Sequence, residues 1–172
     1  ALPLSELIAQ FSLNDFSRSP PRFDAGQMLG LNRKLLHHLP FEAVRDRLPE
    51  GAGPEFWEAI RGNLDLLTEA RRWWAVVAGE IVTPELPDEA VAVIAKAAET
   101  LPAELNAAAW KGWVAEISAA TGAKGKALYQ PLRLALTGEE HGPEMAPLLA
   151  LMGSARAARR LGACVAANVR PG

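Results

Sequence analysis

Residues 88–101 read DEAVAVIAKAAETL. The run AVAVIA alternates weakly, and as a strand it would put a sheet into the chain. Its alanines argue the other way, because alanine is the best helix former and gains little on a pleated surface. Asp88 is placed to cap a helix, and Asp88 and Glu89 set negative charge in its first turn, where the helix dipole favours it. We read the stretch as a helix. No other stretch reads convincingly as a strand, so the chain is expected to be all-α, in two helical lobes, with no catalytic Rossmann domain.

The segments on either side agree. LSELIAQFSL (4–13) has Leu4, Leu7, Ile8 and Phe11 at helical spacing, with Ser5 as cap. Pro20-Pro21 then interrupts regular structure, and Asp24 is set to cap AGQMLGLNRKLLHHL, which turns Met28, Leu29, Leu31, Leu35 and Leu36 inward. PFEAVRDRL reads as a short helix, and a helix restarts near Glu55. LDLLTEARRWWAVVAG follows, with Arg71 and Arg72 as candidate dipole-complementing charges. EIVTPELPD marks a boundary near residue 84. Beyond it lie four more helices, two of them ended by Gly122 and Gly153 in the left-handed position. The chain thus divides into 1–48, 49–84 and 85–172, with about nine or ten helices.

Composition narrows the class. Of 172 residues, 49% are hydrophobic and 22% charged, as in an ordinary globular protein. No apolar run reaches the roughly 18–20 residues of a membrane span, so neither a membrane nor a secretory route is expected, and a cytoplasmic place is. Cys164 is the only cysteine, which excludes an internal disulfide and fits a small buried residue. The net charge of −2 speaks against a general nucleic-acid or DNA binder, yet it is unevenly spread. Residues 1–100 hold ten basic and fifteen acidic residues, and residues 101–172 hold eight and five. After Glu144 there is no acid, only Arg156, Arg159, Arg160 and Arg170, an end suited to meet a polyanion. Ala1 rather than Met at the start is expected of a piece cut from a longer chain.

Catalytic chemistry is not visible. His37 and His38 are adjacent, so on a helix they point about 100° apart and cannot share a metal. His141 stands alone in an acidic turn. TGAKGKAL lacks both the spacing and the hydroxyl of a phosphate-binding loop, although Lys124 and Lys126 remain as candidate phosphate contacts at a helix start. Trp57, Trp73, Trp74, Trp110 and Trp113 sit where tryptophans more often fill a core or lobe interface than stack on bases. No catalytic residue, metal site or bound cofactor is expected in this chain.

One feature stands out from this background. In PLRLALTGEEHGP (131–143) a lone arginine, Arg133, sits in an apolar helical run, followed by a turn of Gly and Pro. Read on its own, Arg133 could pair with Glu139 or Glu140.

The two ends of the chain carry specific motifs. Phe11-Ser12-Leu13, Ser17, Ser19-Pro20, Arg22-Phe23-Asp24 and Asn32 resemble the segment that follows the second ATP-binding signature of bacterial glutamyl-tRNA synthetases, which are class I aminoacyl-tRNA synthetases. GKALYQPLRLALTG, Gly142-Pro143, LLALMG and RRL resemble the far end of the same enzymes. Residues 50–120 share only the helical pattern. The family's H-I-G-H and K-x-S-K-[SR] motifs are absent.

The resemblance implies the stem-contact tail and anticodon-binding lobes of such an enzyme. The whole enzyme attaches glutamate to tRNA with ATP and Mg, while this chain by itself would be inactive. It also implies tRNA(Glu), alone or with tRNA(Gln), as partner, together with the catalytic domain of the same polypeptide. Arg133, Pro143 and Met145 would lie at the anticodon, and Arg61 is the nearest match to an arginine that reads the third anticodon base, with spacing off by one residue. Anticodon bases splay from a single-stranded loop, and a guanidinium can bond or stack on them. The rival reading is a stand-alone helical adaptor that binds a protein partner through its apolar faces.

Overall fold

The computed structural model describes residues 3–15 and 24–168. The motif residues Ser17, Ser19, Pro20, Arg22 and Phe23, the Pro20-Pro21 break and Arg170 lie outside them. The described residues hold nine α-helices and no strand. They are α1 (Leu4–Gln10), α2 (Ala25–His38), α3 (Pro54–Ile60), α4 (Ala70–Ala78), α5 (Asp88–Glu99), α6 (Ala107–Thr121), α7 (Lys126–Thr137), α8 (Met145–Met152) and α9 (Ser154–Asn168). AVAVIA lies in α5, with Val93 and Ile94 buried. PFEAVRDRL forms two 3-10 turns, Phe41–Ala43 and Arg45–Arg47, in place of the short helix expected.

Two of the local stop and start signals hold. Asp24 accepts from the Gly26 and Gln27 amides, and Gly122 ends α6 at φ 72°, ψ −5°. Asp88 and Ser5 do not cap: prolines, Pro87 and Pro3, hold those positions, and Asp88 is the first helical residue. Gly153 has a positive φ but ψ 155°, so it leads straight into α9 without closing a left-handed cap.

Two apolar cores form. One gathers Phe56, Trp57, Ile60 and Leu64 with Trp73, Val76 and Val77 of α4. The other gathers α5, α6, α7 and α9 around Ile94, Trp113, Ile117, Leu132, Leu136 and Leu161. Helix α8 belongs to both. Its Met145, Leu149 and Met152, spaced i, i+4, i+7, face the second core, while Leu148 packs into the first. The expected inward face of α2 is a correction: only Leu36 is buried, and Met28, Leu29, Leu31 and Leu35 are exposed. So are Leu4, Leu7, Ile8 and Phe11 of the first segment. Periodicity shows that a helix has an apolar face, not what lies opposite it. The other end of α2 is fixed. Asn32 donates to the Asp65 carbonyl, and Arg33 Nε bonds Asp65 Oδ1 at 2.6 Å.

The C-terminal arginines also differ from expectation. Arg160 is 5% exposed. Its Nη2 bonds the carbonyls of Val76 and Gly79 at 2.8 Å each, and its Nη1 bonds that of Leu136. Arg156 Nη1 bonds the Val77 carbonyl at 2.7 Å. These carbonyls lie at the ends of α4 and α7, where intrahelical donors run out and the dipole is negative. Burial, with Arg156 nearby, pushes the Arg160 guanidinium down to about 10, so it stays charged at neutral pH. Arg159 pairs with Glu80 at 3.6 Å. The acid-free stretch is therefore not a free cationic end: two of its arginines are taken up by main-chain carbonyls at helix ends.

Cys164 is fully buried beside Asn168, and burial raises its thiol above the usual range. We expect an aromatic disulfide reagent at neutral pH to leave it unlabelled in the folded chain and to label it at the unfolding rate. Immediate labelling of native protein would contradict this burial.

Candidate nucleic-acid interface

The turn after α7 is built from the helix end outward. Thr137 Oγ1 donates to the Arg133 carbonyl at 2.7 Å and accepts from the Glu139 amide at 3.1 Å. Gly138 takes the left-handed conformation at φ 71°, ψ 6°. The chain then crosses the first core at Gly142. A Cβ there would stand 2.0 Å from Trp73 Cη2, so only glycine admits the indole, and φ 147° suits glycine as well. Pro143 follows, buried, and Glu144 opens α8.

Arg133 closes this turn. Its Nη2 donates to the Pro143 carbonyl at 2.9 Å. It pairs with neither Glu139 nor Glu140. Glu139 instead takes Arg72 of α4 through two hydrogen bonds, and that contact raises the Arg72 guanidinium further. Arg72 also lies 5.9 Å from the Trp73 ring centroid. Arg71 and Arg72 stand at the N-terminal turn of α4, so they do not complement its dipole. Partial burial lowers the Arg133 pKa, and its Nη1 is buried with no partner among the described residues.

The other predicted residues scatter. Met145 is 7% exposed and packs in the second core, so its side chain supports the turn from beneath and does not face outward. Arg61 pairs with Glu58 at 2.6 Å and donates to the Leu39 carbonyl, which also accepts from Trp57 Nε1. Lys124 and Lys126 are exposed at the start of α7. Arg133 and Pro143 are thus brought together, while Arg61 belongs to the facing lobe. Between that lobe and the turn lies an open cleft of about 630 Å³. Pro54, Glu55, Glu58 and Gly62 line one side, and Glu144 and Pro147 the other. Its carboxylates repel phosphate but can accept from base amino groups. The Trp73–Gly142 and Arg72–Glu139 contacts were not read from the sequence, because they join residues 67 or more positions apart that no local pattern links. Among the described residues no three His, Cys, Asp or Glu come together to hold a metal.

This paired-lobe helical architecture is known. It is similar to that in the crystal structure of a glutamate tRNA ligase from Elizabethkingia meningosepticum CCUG26117 in complex with its amino acid. The TM-score is 0.71 at 17% identity, over 96% of this chain and 37% of that one. Residues 77–165 match the anticodon binding domain family, and the chain belongs to that family. It is 63% identical over 161 residues to glutamate–tRNA ligase 2 of Acidiphilium cryptum (strain JF-5), and 53% identical over 161 residues to glutamate–tRNA ligase 2 of Granulibacter bethesdensis. Each alignment covers 93% of this chain and 36% of the relative, so the chain spans about a third of the length of these relatives.

Proposed function

We propose that this chain is the anticodon-binding part of a glutamate–tRNA ligase and grips the anticodon loop of tRNA(Glu) where residues 49–84 meet residues 85–172. The observation that carries it is Arg133: a half-buried guanidinium with no carboxylate partner among the described residues, locked onto a rigid Gly-Pro turn. The exposed part of a guanidinium preorganised in this way suits base acceptors. Arg61, beside the cleft carboxylate Glu58, meets the third anticodon base from the facing lobe. Binding ATP and Mg and transferring glutamate belong to the rest of a longer cytoplasmic polypeptide. That remainder covers the exposed apolar side chains of α1 and α2, which exceed what a solvated surface needs.

The test is a titration with a tRNA(Glu) anticodon stem-loop at low salt. Arg133→Ala and a scrambled loop should each weaken binding about tenfold or more, as expected for a base contact worth roughly 1–3 kcal/mol. Equal binding of native and scrambled loops would reduce Arg133 to a backbone contact. A folded chain that binds no stem-loop, yet captures a protein partner without RNA, would favour the adaptor reading.

A further inference from the structure

Most of the described cations are already committed. Arg33, Arg45, Arg61, Arg72, Lys96 and Arg159 pair with carboxylates, and Arg133, Arg156 and Arg160 bond carbonyls. Of the described cations left without a carboxylate within 4.0 Å, two share one groove: Lys111 on α6 and Lys124 in the following loop. Lys111 and Lys124 line an open groove of about 360 Å³ with Trp110, Ser118, Leu128 and Tyr129. Tyr129 is 50% exposed and lies 6.5 Å from the Trp110 ring, which packs edge-on against buried Trp113 at 5.8 Å. The aromatic pair is thus fixed from behind and open in front. Tyr129 is also four residues before Arg133 and so shares its face of α7, one turn away.

We propose that this groove stacks one unpaired base of single-stranded RNA against Tyr129 and Trp110 and holds the adjoining phosphate with Lys111 and Lys124. An exposed π-face flanked by uncompensated ammonium groups is the chemistry that sequence-tolerant single-strand sites use. The groove complements the carboxylate-lined cleft, which repels phosphate. If the anticodon loop lies at Arg133, as proposed above, the stacked base is a neighbour of the anticodon in the same loop.

The test uses the full chain and two probes. The first is a uridine hexanucleotide, which has no anticodon, titrated at low salt and followed by the Trp110 indole NMR signal. Trp110 should shift, Tyr129→Ala should weaken binding about tenfold, and Lys111→Gln with Lys124→Gln should flatten the logarithmic salt slope by about 0.7, the loss of one phosphate contact. No binding up to millimolar strand, or binding indifferent to Tyr129 and both lysines, overturns the groove. The second probe is the anticodon stem-loop. Loss with Arg133→Ala but not with Tyr129→Ala overturns the groove and leaves the anticodon reading standing. Loss with Tyr129→Ala but not with Arg133→Ala supports the groove and removes Arg133 from the anticodon.

Discussion

Replacing Arg160 by Met should destabilise the fold by about 3–5 kcal/mol, nearly as much as replacing it by Ala. Methionine fills much of the space, so the two variants separate packing from hydrogen bonding. What both remove is the donor to the carbonyls of Val76, Gly79 and Leu136, which lie inside the molecule at the ends of two helices. A buried carbonyl left without a partner costs roughly 1–3 kcal/mol, and the helix-end cation is lost as well. Where a buried arginine faces a carboxylate, an apolar replacement of both partners can be neutral. Here the partners are main chain and cannot be replaced. At about 2–4 °C per kcal/mol for a chain of this size, the melting temperature should fall by roughly 6–20 °C. Lysine keeps the charge but not the fork, and should recover only part of this. A Met variant within about 1 kcal/mol of the parent in urea would show that these hydrogen bonds carry little.

Gly142→Ala should cost about 2–4 kcal/mol and should weaken stem-loop binding at the same time. The new methyl would stand 2.0 Å from Trp73 Cη2 and 2.4 Å from Cζ2, distances no packing allows. Trp73 is 6% exposed and held within the first core, so it has little room to retreat. The turn must lift instead, and the Pro143 carbonyl that holds Arg133 lifts with it. A double variant, Gly142→Ala with Trp73→Leu, tests the cause. If the clash is the cause, shrinking the ring makes the alanine nearly neutral, and the two changes are strongly non-additive. Additive costs in denaturant titration would place the strain in the backbone and not against the indole.

What the sequence discloses follows the range of the interaction. Helices, the Asp24 cap and the Gly122 stop depend on residues within four positions of each other, and they were legible. The family motif led to Arg133 and Pro143, and the structure brings these two together. Met145 shows the limit: a motif position marks a segment, whereas the side chain's direction is set by the second core beneath it. The apolar side chains of α2 were misplaced because periodicity cannot name a partner. Arg156 and Arg160 look like free charge in one dimension, since a sequence displays carboxylates but not the carbonyls at helix ends. The pairing of Trp110 with Tyr129 was missed for a related reason: nineteen positions separate them, and a loop brings them together.

The way this chain spends its cations also bears on kinetics. With net charge −2 and six of the described cations paired with carboxylates, it presents little long-range field to a polyanion. Encounters with RNA should then proceed near the unsteered rate, about 10⁵–10⁶ M⁻¹s⁻¹, and vary little with ionic strength. Discrimination between one RNA and another would reside in how long each stays bound, and the rigid turn on Trp73 is suited to set that residence time.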